Sequence, residues 1–184
     1  MYLEVNMQKK VEIDNYLIDM QSGNMEALAN LYMATRLQVF SVCMSVLKDK
    51  DLAEDAMQNT YIRVREKINY YRKGTNGYAW VLTIARNISI NTYNRDSRLQ
   101  TTDFGESEYL NPTTDETKLD DMPIFKIAKE ILSSEELEIL MLYVVSGYKH
   151  REIADMLDKP LGTVLWSYNN SIKKLKKAIK DTEV

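Results

Sequence analysis

The sequence predicts an all-α chain of two small helical domains joined by an acidic linker, and three observations lead there. Apolar residues recur at helical spacing over most of the 184 residues, and no segment alternates like a strand. Acidic residues concentrate in the middle third: residues 1–95 carry 12 Lys or Arg against 10 Asp or Glu, residues 96–133 carry 4 against 9, and residues 134–184 carry 8 against 8. Gly, Pro, Thr and Ser gather in the same stretch, as they do in unpacked connections. The expected division is therefore a first domain over 1–95, a linker over 96–122 and a second domain over 123–184, with the negative tether holding two modules apart.

In the first domain, helical periodicity runs over residues 11–20, 25–47, 51–70 and 76–95, with Ser22-Gly23-Asn24 and Lys73-Gly74-Thr75 as breaks. Asp51, followed three residues later by Glu54, predicts a charged variant of the capping box at the start of the third helix. That helix turns Ala53, Ala56, Met57, Thr60, Tyr61 and Val64 inward and leaves Glu54, Asp55, Gln58 and Asn59 on the opposite, polar face. In the fourth helix Trp80, Leu82, Ile84, Ala85 and Ile88 form the core side. Thr83, Arg86, Asn87, Asn91 and Arg95 recur along a second face. Asparagine is a mediocre helix former, so Asn87, Asn91 and Asn94 call for a reason beyond propensity, and their amides can both donate to and accept from base edges. The loop before this helix, residues 70–78, combines the aromatic rings of Tyr70, Tyr71 and Tyr78 with Arg72, Lys73, Gly74 and Gly77. Rings stack on unpaired bases and cations hold phosphate, so the loop suits single-stranded DNA. The alternative is a glycine turn whose tyrosines pack on the core.

The second domain reads as three short helices. Ile139, Leu140, Leu142, Tyr143 and Val144 form one apolar stripe, stopped by Ser146-Gly147. Ile153, Ala154 and Leu157 form the next, stopped by Asp158-Lys159-Pro160. Proline suits the first turn of a following helix, so Leu161 should open a third helix that carries Val164, Tyr168 and Leu175 inward. A tight turn so placed between short helices is what a helix-turn-helix needs to set one helix in a DNA groove.

Composition excludes several classes. No apolar run reaches the length that crosses a bilayer, and the first residues have neither a basic region nor an apolar run for export, so a cytoplasmic protein is expected. Cys43 lies among Val39, Phe40, Val42, Val46 and Leu47 and is expected as a buried small apolar residue. His150, without a second histidine or a nearby cysteine, is expected at the surface. With no pairing of nucleophile and histidine, no phosphate-cradling glycine motif and no metal-ligand spacing, neither an enzyme nor a cofactor or metal is expected.

The segment Gly147-Tyr148-Lys149-His150-Arg151-Glu152-Ile153-Ala154, followed by Pro160-Leu161-Gly162-Thr163-Val164, resembles the second DNA-binding domain of the extracytoplasmic-function sigma factors of bacterial RNA polymerase. Ala53-Glu54-Asp55-Ala56-Met57-Gln58-Asn59-Thr60-Tyr61 resembles the family's polymerase-binding helix. Ala79-Trp80-Val81-Leu82-Thr83-Ile84-Ala85-Arg86-Asn87 with Asn91 resembles its promoter-melting helix, and the motifs come in the family's order and spacing. The resemblance implies a sigma region 2 bundle and a region 4 helix-turn-helix, with Glu54, Asp55, Gln58 and Asn59 on the clamp helices of the polymerase's largest subunit. Tyr71, Arg72, Lys73, Tyr78, Thr83, Arg86, Asn87, Asn91 and Arg95 would meet the melted −10 strand, the loop and Asn87 forming a pocket for a flipped base. Lys149, Arg151, Thr163, Leu165, Trp166, Asn169, Asn170, Lys173 and Lys174 would serve the helix-turn-helix. An anti-sigma factor is a possible further partner in such a family.

The third helix of the second domain departs from the family pattern. Basic residues usual at 165, 167, 170 and 172 are replaced by Leu, Ser, Asn and Ile, and cations return only at Lys173, Lys174, Lys176, Lys177 and Lys180. Fewer phosphate contacts weaken binding and flatten its salt dependence. Either Trp166, Asn169 and Asn170 read an unusual element through amide and methyl contacts, or Leu165, Trp166 and Ile172 form a surface for another protein. The alternatives for the whole chain are a sigma-like adaptor with little −35 recognition and a free-standing helix-turn-helix regulator.

Overall fold

A computed structural model describes residues 2–99 and 123–182, and the predicted linker lies, apart from its first four residues, outside the described residues. Among the described residues the chain is helical throughout: α1 (Tyr2–Gln21), α2 (Ala27–Leu47), α3 (Lys50–Lys67), a 3-10 turn (Ile68–Tyr70), α4 (Gly77–Leu99), α5 (Pro123–Ile131), α6 (Ser134–Val144), α7 (His150–Leu157) and α8 (Leu161–Thr182).

The sequence of α2 explains its central place. Val39-Phe40-Ser41-Val42-Cys43-Met44-Ser45 presents apolar or small side chains in every direction, and a helix apolar all round must be covered all round. All seven are buried, and α2 packs on α1, α3 and α4 of the first module and on α6 of the second. Its buried hydroxyls are satisfied within the helix: Ser41 Oγ donates to the Gln38 carbonyl and Ser45 Oγ to that of Val42. Around it, Ile13, Leu17 and Met20 of α1 and the six residues expected from α3 close the first core.

The modules are not held apart, contrary to the expectation from the charged tether. Charge density in a connecting segment says nothing about the apolar surfaces on the helices it connects, and here α2 and α6 bury theirs on each other. Lys48, at the end of α2 in the left-handed region (φ 58°), sends its ammonium to the Leu132 carbonyl just after α5, 2.6 Å away.

Local signals mostly hold, with three corrections. The α3 cap is Asp49, whose carboxylate accepts the Leu52 N–H at 2.9 Å; its extended backbone makes it the cap, two residues before the expected Asp51. Helix α5 was not singled out, although Ile124, Phe125, Ile127, Ala128 and Ile131 recur at helical spacing; its nine residues are short and adjoin the polar stretch read as linker. His150 is not a simple surface residue: its ring lies 4.4 Å from that of Tyr143 and 4.7 Å from that of Tyr168, bridging α6 and α8. In the helix-turn-helix, Asp158 (φ 52°) ends α7, and the Pro160 carbonyl accepts the Thr163 and Val164 N–H groups as α8 begins.

Candidate polymerase and nucleic-acid interfaces

On α3, inward Ala53, Ala56, Met57, Thr60, Tyr61 and Val64 fix which face is left over. Asp55, Gln58 and Asn59 are exposed there and Glu54 is half-buried. Asn59 also lines an open groove of about 430 Å³ between α3 and α4, together with Arg63, Asn91 and Arg95. One residue expected on the polymerase side and two expected on the DNA side thus share one depression.

The loop before α4 is pinned from α1. Asp14 Oδ1 accepts the Gly77 N–H at 2.7 Å and the Tyr71 hydroxyl at 3.1 Å, while Gln21 Nε2 donates to the carbonyls of Ile68 and Tyr71. A β-carbon at Gly77 would lie 2.5 Å from Asp14 Oδ1 and from Leu17 Cδ1, so the close approach requires glycine. Burial, with the hydrogen bond and charge of Asp14, pushes the Tyr71 phenol up to about 12.

This pinning corrects the expectation of a loop offering its rings to bases. Tyr71 is 4% exposed, packed at 5.4 Å on Trp80, and Tyr78 is 3% exposed; the ring that faces outward is Tyr70, at 73%. Arg72 and Lys73 are exposed beside it. On α4, Thr83, Asn87, Asn91 and Arg95 are exposed, the Thr83 hydroxyl donating to the Ala79 carbonyl of its own helix. Arg86 is half-buried, its Nε 2.6 Å from Glu138 Oε1 on α6.

In the second module Lys149, Arg151, Thr163, Leu165, Trp166, Asn169 and Lys173 are exposed, Trp166 at 68%. Asn170 and Lys174 are turned instead toward Glu136: the Asn170 amide donates to Oε1 at 2.7 Å, and the Lys174 ammonium lies 2.8 Å from both oxygens. Burial raises the Glu136 carboxyl, but donation from Lys174, the Ser133 N–H and Asn170 outweighs it and holds the group below its ordinary range. Ser167 is buried and Ile172 half-buried on the inner side of α8, so a cation at either position would reach solvent only by laying its stem along apolar surface. Two of the four apparent departures from the basic pattern therefore lie on the side of α8 that faces the core. Ile172 also drops out of the expected exposed patch, lining with Phe125 and Met141 an apolar groove of about 390 Å³ between α5, α6 and α8.

Several residues that shape these surfaces escaped the sequence reading. Glu136 was legible, because Ser133-x-x-Glu136 before an apolar run is a capping box, and both of its hydrogen bonds form. Glu138 offered a weaker signal, a carboxylate between Leu137 and Ile139 in a buried run; burial holds it above its ordinary range despite Arg86. Lys10 and Glu152, whose charged atoms meet at 2.8 Å, are 142 positions apart and carried none.

Residues 31–99 match the sigma-70 region 2 family. The chain is 26% identical over 140 residues to the ECF RNA polymerase sigma factor EcfG of Rhodopseudomonas palustris, covering 76% of each chain. Its fold is like that of CnrH in the structure of its complex with the cytosolic domain of CnrY (TM-score 0.66, 16% identity, 94% of this chain and 99% of that one). It is also like that of the sigma factor RpoE of Bartonella quintana in complex with the anti-sigma factor NepR (TM-score 0.62, 24% identity, 82% and 97%).

Proposed function

Because this chain belongs to the extracytoplasmic-function sigma factors of the sigma-70 family, we propose that it binds RNA polymerase core, directs it to a particular set of promoters and captures the melted −10 strand. The observation that carries the detailed reading is the face of α4. Asn87, Asn91 and Arg95 are exposed at helical spacing, a costly use of asparagine unless its amides meet a ligand, and Asn91 and Arg95 open onto the same groove as Asn59. In this reading Glu54, Asp55, Gln58 and Asn59 meet the polymerase clamp helices. Arg72, Lys73, Thr83, Arg86, Asn87, Asn91 and Arg95 meet the opened strand, with Tyr78 available once uncovered and Tyr71 supporting the loop from beneath. Residues 1–95 and 123–184 are the two functional modules, joined by the acidic linker 96–122.

Lys149, Arg151, Thr163, Leu165, Trp166, Asn169 and Lys173 form the double-strand face, with Asn170 and Lys174 orienting α8 through Glu136. An anti-sigma factor is the natural regulator, given the NepR complex of the Bartonella quintana protein. The chain supplies recognition and leaves catalysis to the polymerase. It acts in the cytoplasm; among the described residues no helix is long and apolar enough to cross a membrane.

The test is transcription from a promoter library by core polymerase plus this chain. Promoter-specific initiation is expected, with Asn87→Ala impairing open-complex formation more than core binding. Core binding without initiation at any promoter would instead favour the sigma-like adaptor, which the 68% exposed Trp166 would also suit.

A further inference from the structure

The outward stripe of α8 changes chemistry along its length. Val164, Ser167, Ser171 and Leu175 are buried, and the Glu136 carboxylate holds Asn170 and Lys174, so the rotation of the helix is fixed. Leu165, Trp166, Asn169, Lys173 and Lys177 are then exposed at helical spacing on one face. No residue from 161 to 172 carries a charge, whereas lysines follow at 173, 174, 176, 177 and 180. At the uncharged end Leu161, Leu165 and Trp166 expose large apolar side chains side by side, which marks a contact surface.

The spacing of the two chemistries points to the occupant. Trp166 and Lys173 are separated by roughly 10 Å along the axis, at about 1.5 Å per residue. The major groove of B-DNA is about 12 Å wide, with thymine methyl groups on its floor and phosphates along its walls. A duplex therefore offers apolar groups and anions at the separation that α8 presents, whereas a protein partner would need a matched pattern of its own. In a helix-turn-helix the first residues of the second helix meet base edges, which places the apolar end on the floor of the groove.

The absence of charge at that end also selects among bases. Guanine is read chiefly by Arg or Lys donating to O6 and N7, and residues 161–172 offer neither. Lys149 and Arg151 stand at the start of α7, the helix that crosses the backbone in this motif, and the Lys159 ammonium lies 3.0 Å from Glu135 Oε2. Asparagine matches adenine, accepting from N6 and donating to N7, and apolar groups match the C5 methyl of thymine. Of the two neighbouring asparagines, Asn169 is the exposed one, since the Asn170 amide donates to Glu136.

We propose that α8 selects an A·T element through the thymine C5 methyl groups: Leu165 and Trp166 pack on the methyls, Asn169 pairs with an adjacent adenine, and Lys173 and Lys177 hold the flanking phosphates. The inference rests on the reading of this face as the double-strand surface and names what that surface selects.

The test uses the full chain assembled with core polymerase and a duplex library randomised over the length of a promoter. Sequences retained by the unmodified chain should contain an upstream block of A·T pairs. Deoxyuridine in place of thymine within that block removes the C5 methyl and keeps base pairing, and should weaken binding about threefold to fivefold for each methyl in contact. Leu165→Ala and Trp166→Ala, both at exposed positions, should bring the ratio of thymine to deoxyuridine affinity towards one. Lys173→Ala should weaken both duplexes alike and leave the ratio unchanged, which also controls for any effect of deoxyuridine on duplex shape.

An upstream block dominated by G·C pairs, or one bound equally well with thymine and deoxyuridine, overturns methyl selection and leaves the double-strand surface standing. A ratio that Leu165→Ala and Trp166→Ala both leave unchanged does the same. If no upstream block is enriched, the double-strand reading itself fails and takes the inference with it, and the apolar end of α8 belongs to a protein contact.

Discussion

Lys174 on α8 lies 2.8 Å from both carboxylate oxygens of Glu136, the residue that also closes the capping box of α6. One buried carboxylate therefore starts one helix and fixes the rotation of another. Glu136→Ala removes the cap and leaves Asn170 and Lys174 untethered, with an expected loss of about 1–2 kcal/mol in urea unfolding. Glu136→Gln keeps an acceptor and should lose less; equal losses would mean that the charge, not the hydrogen-bond geometry, matters.

Acid should act on this site with a defined sign. Glu136 and Glu152 are each raised by burial but lowered more by their donors, Lys174 and Lys10 first among them, so both end below the ordinary range. A carboxyl depressed in the folded state stabilises above its unfolded value, about 4.3, and that contribution is lost as pH falls through the folded value. Glu138 runs the other way: raised by burial, it takes a proton first and the folded state gains slightly. Urea midpoints should stay level or rise slightly from neutral pH towards the ordinary glutamate range and then drop. A steady decline from pH 7 would contradict these directions.

Trp166→Ala should leave stability within about 0.5 kcal/mol, because the ring is largely exposed. Its effect belongs to recognition. Affinity for the double-stranded promoter element should fall in a gel-shift titration, and unchanged affinity would move the ring to a protein-binding role.

The Cys43 thiol is fully buried, and burial pushes it up to about 12 despite weak hydrogen bonding by Ser89 and Thr60. Native protein at pH 8 should resist iodoacetamide for as long as it stays folded, with labelling restored in denaturant. Rapid native labelling would show that α2 opens locally.

Tyr71→Phe removes donation to Asp14 and to the Thr75 carbonyl, and should cost about 1 kcal/mol while loosening the 72–76 loop, seen as faster amide exchange. Gly77→Ala meets Asp14 and Leu17 at once and should be at least as damaging by thermal melting.

How much of this was legible follows from range. The α3 inward set and the helix-turn-helix stops were readable because helical period and turn chemistry act within a few residues of Ala53 or Pro160. The burial of Tyr71 was not readable, since its partner Asp14 lies 57 positions away on α1 and the loop composition suited exposure equally well. Ser167 and Ile172 looked like lost cations from a pattern, yet their place on the inner side of α8 depends on how α6 crosses it. The meeting of Arg86 with Glu138 is tertiary altogether.

The all-round burial of residues 39–45 of α2 carries a thermodynamic consequence. Heat cannot melt α6 away without stripping one side of α2, nor melt α2 without exposing α6, so the chain should show a single calorimetric transition whose van't Hoff and measured enthalpies agree.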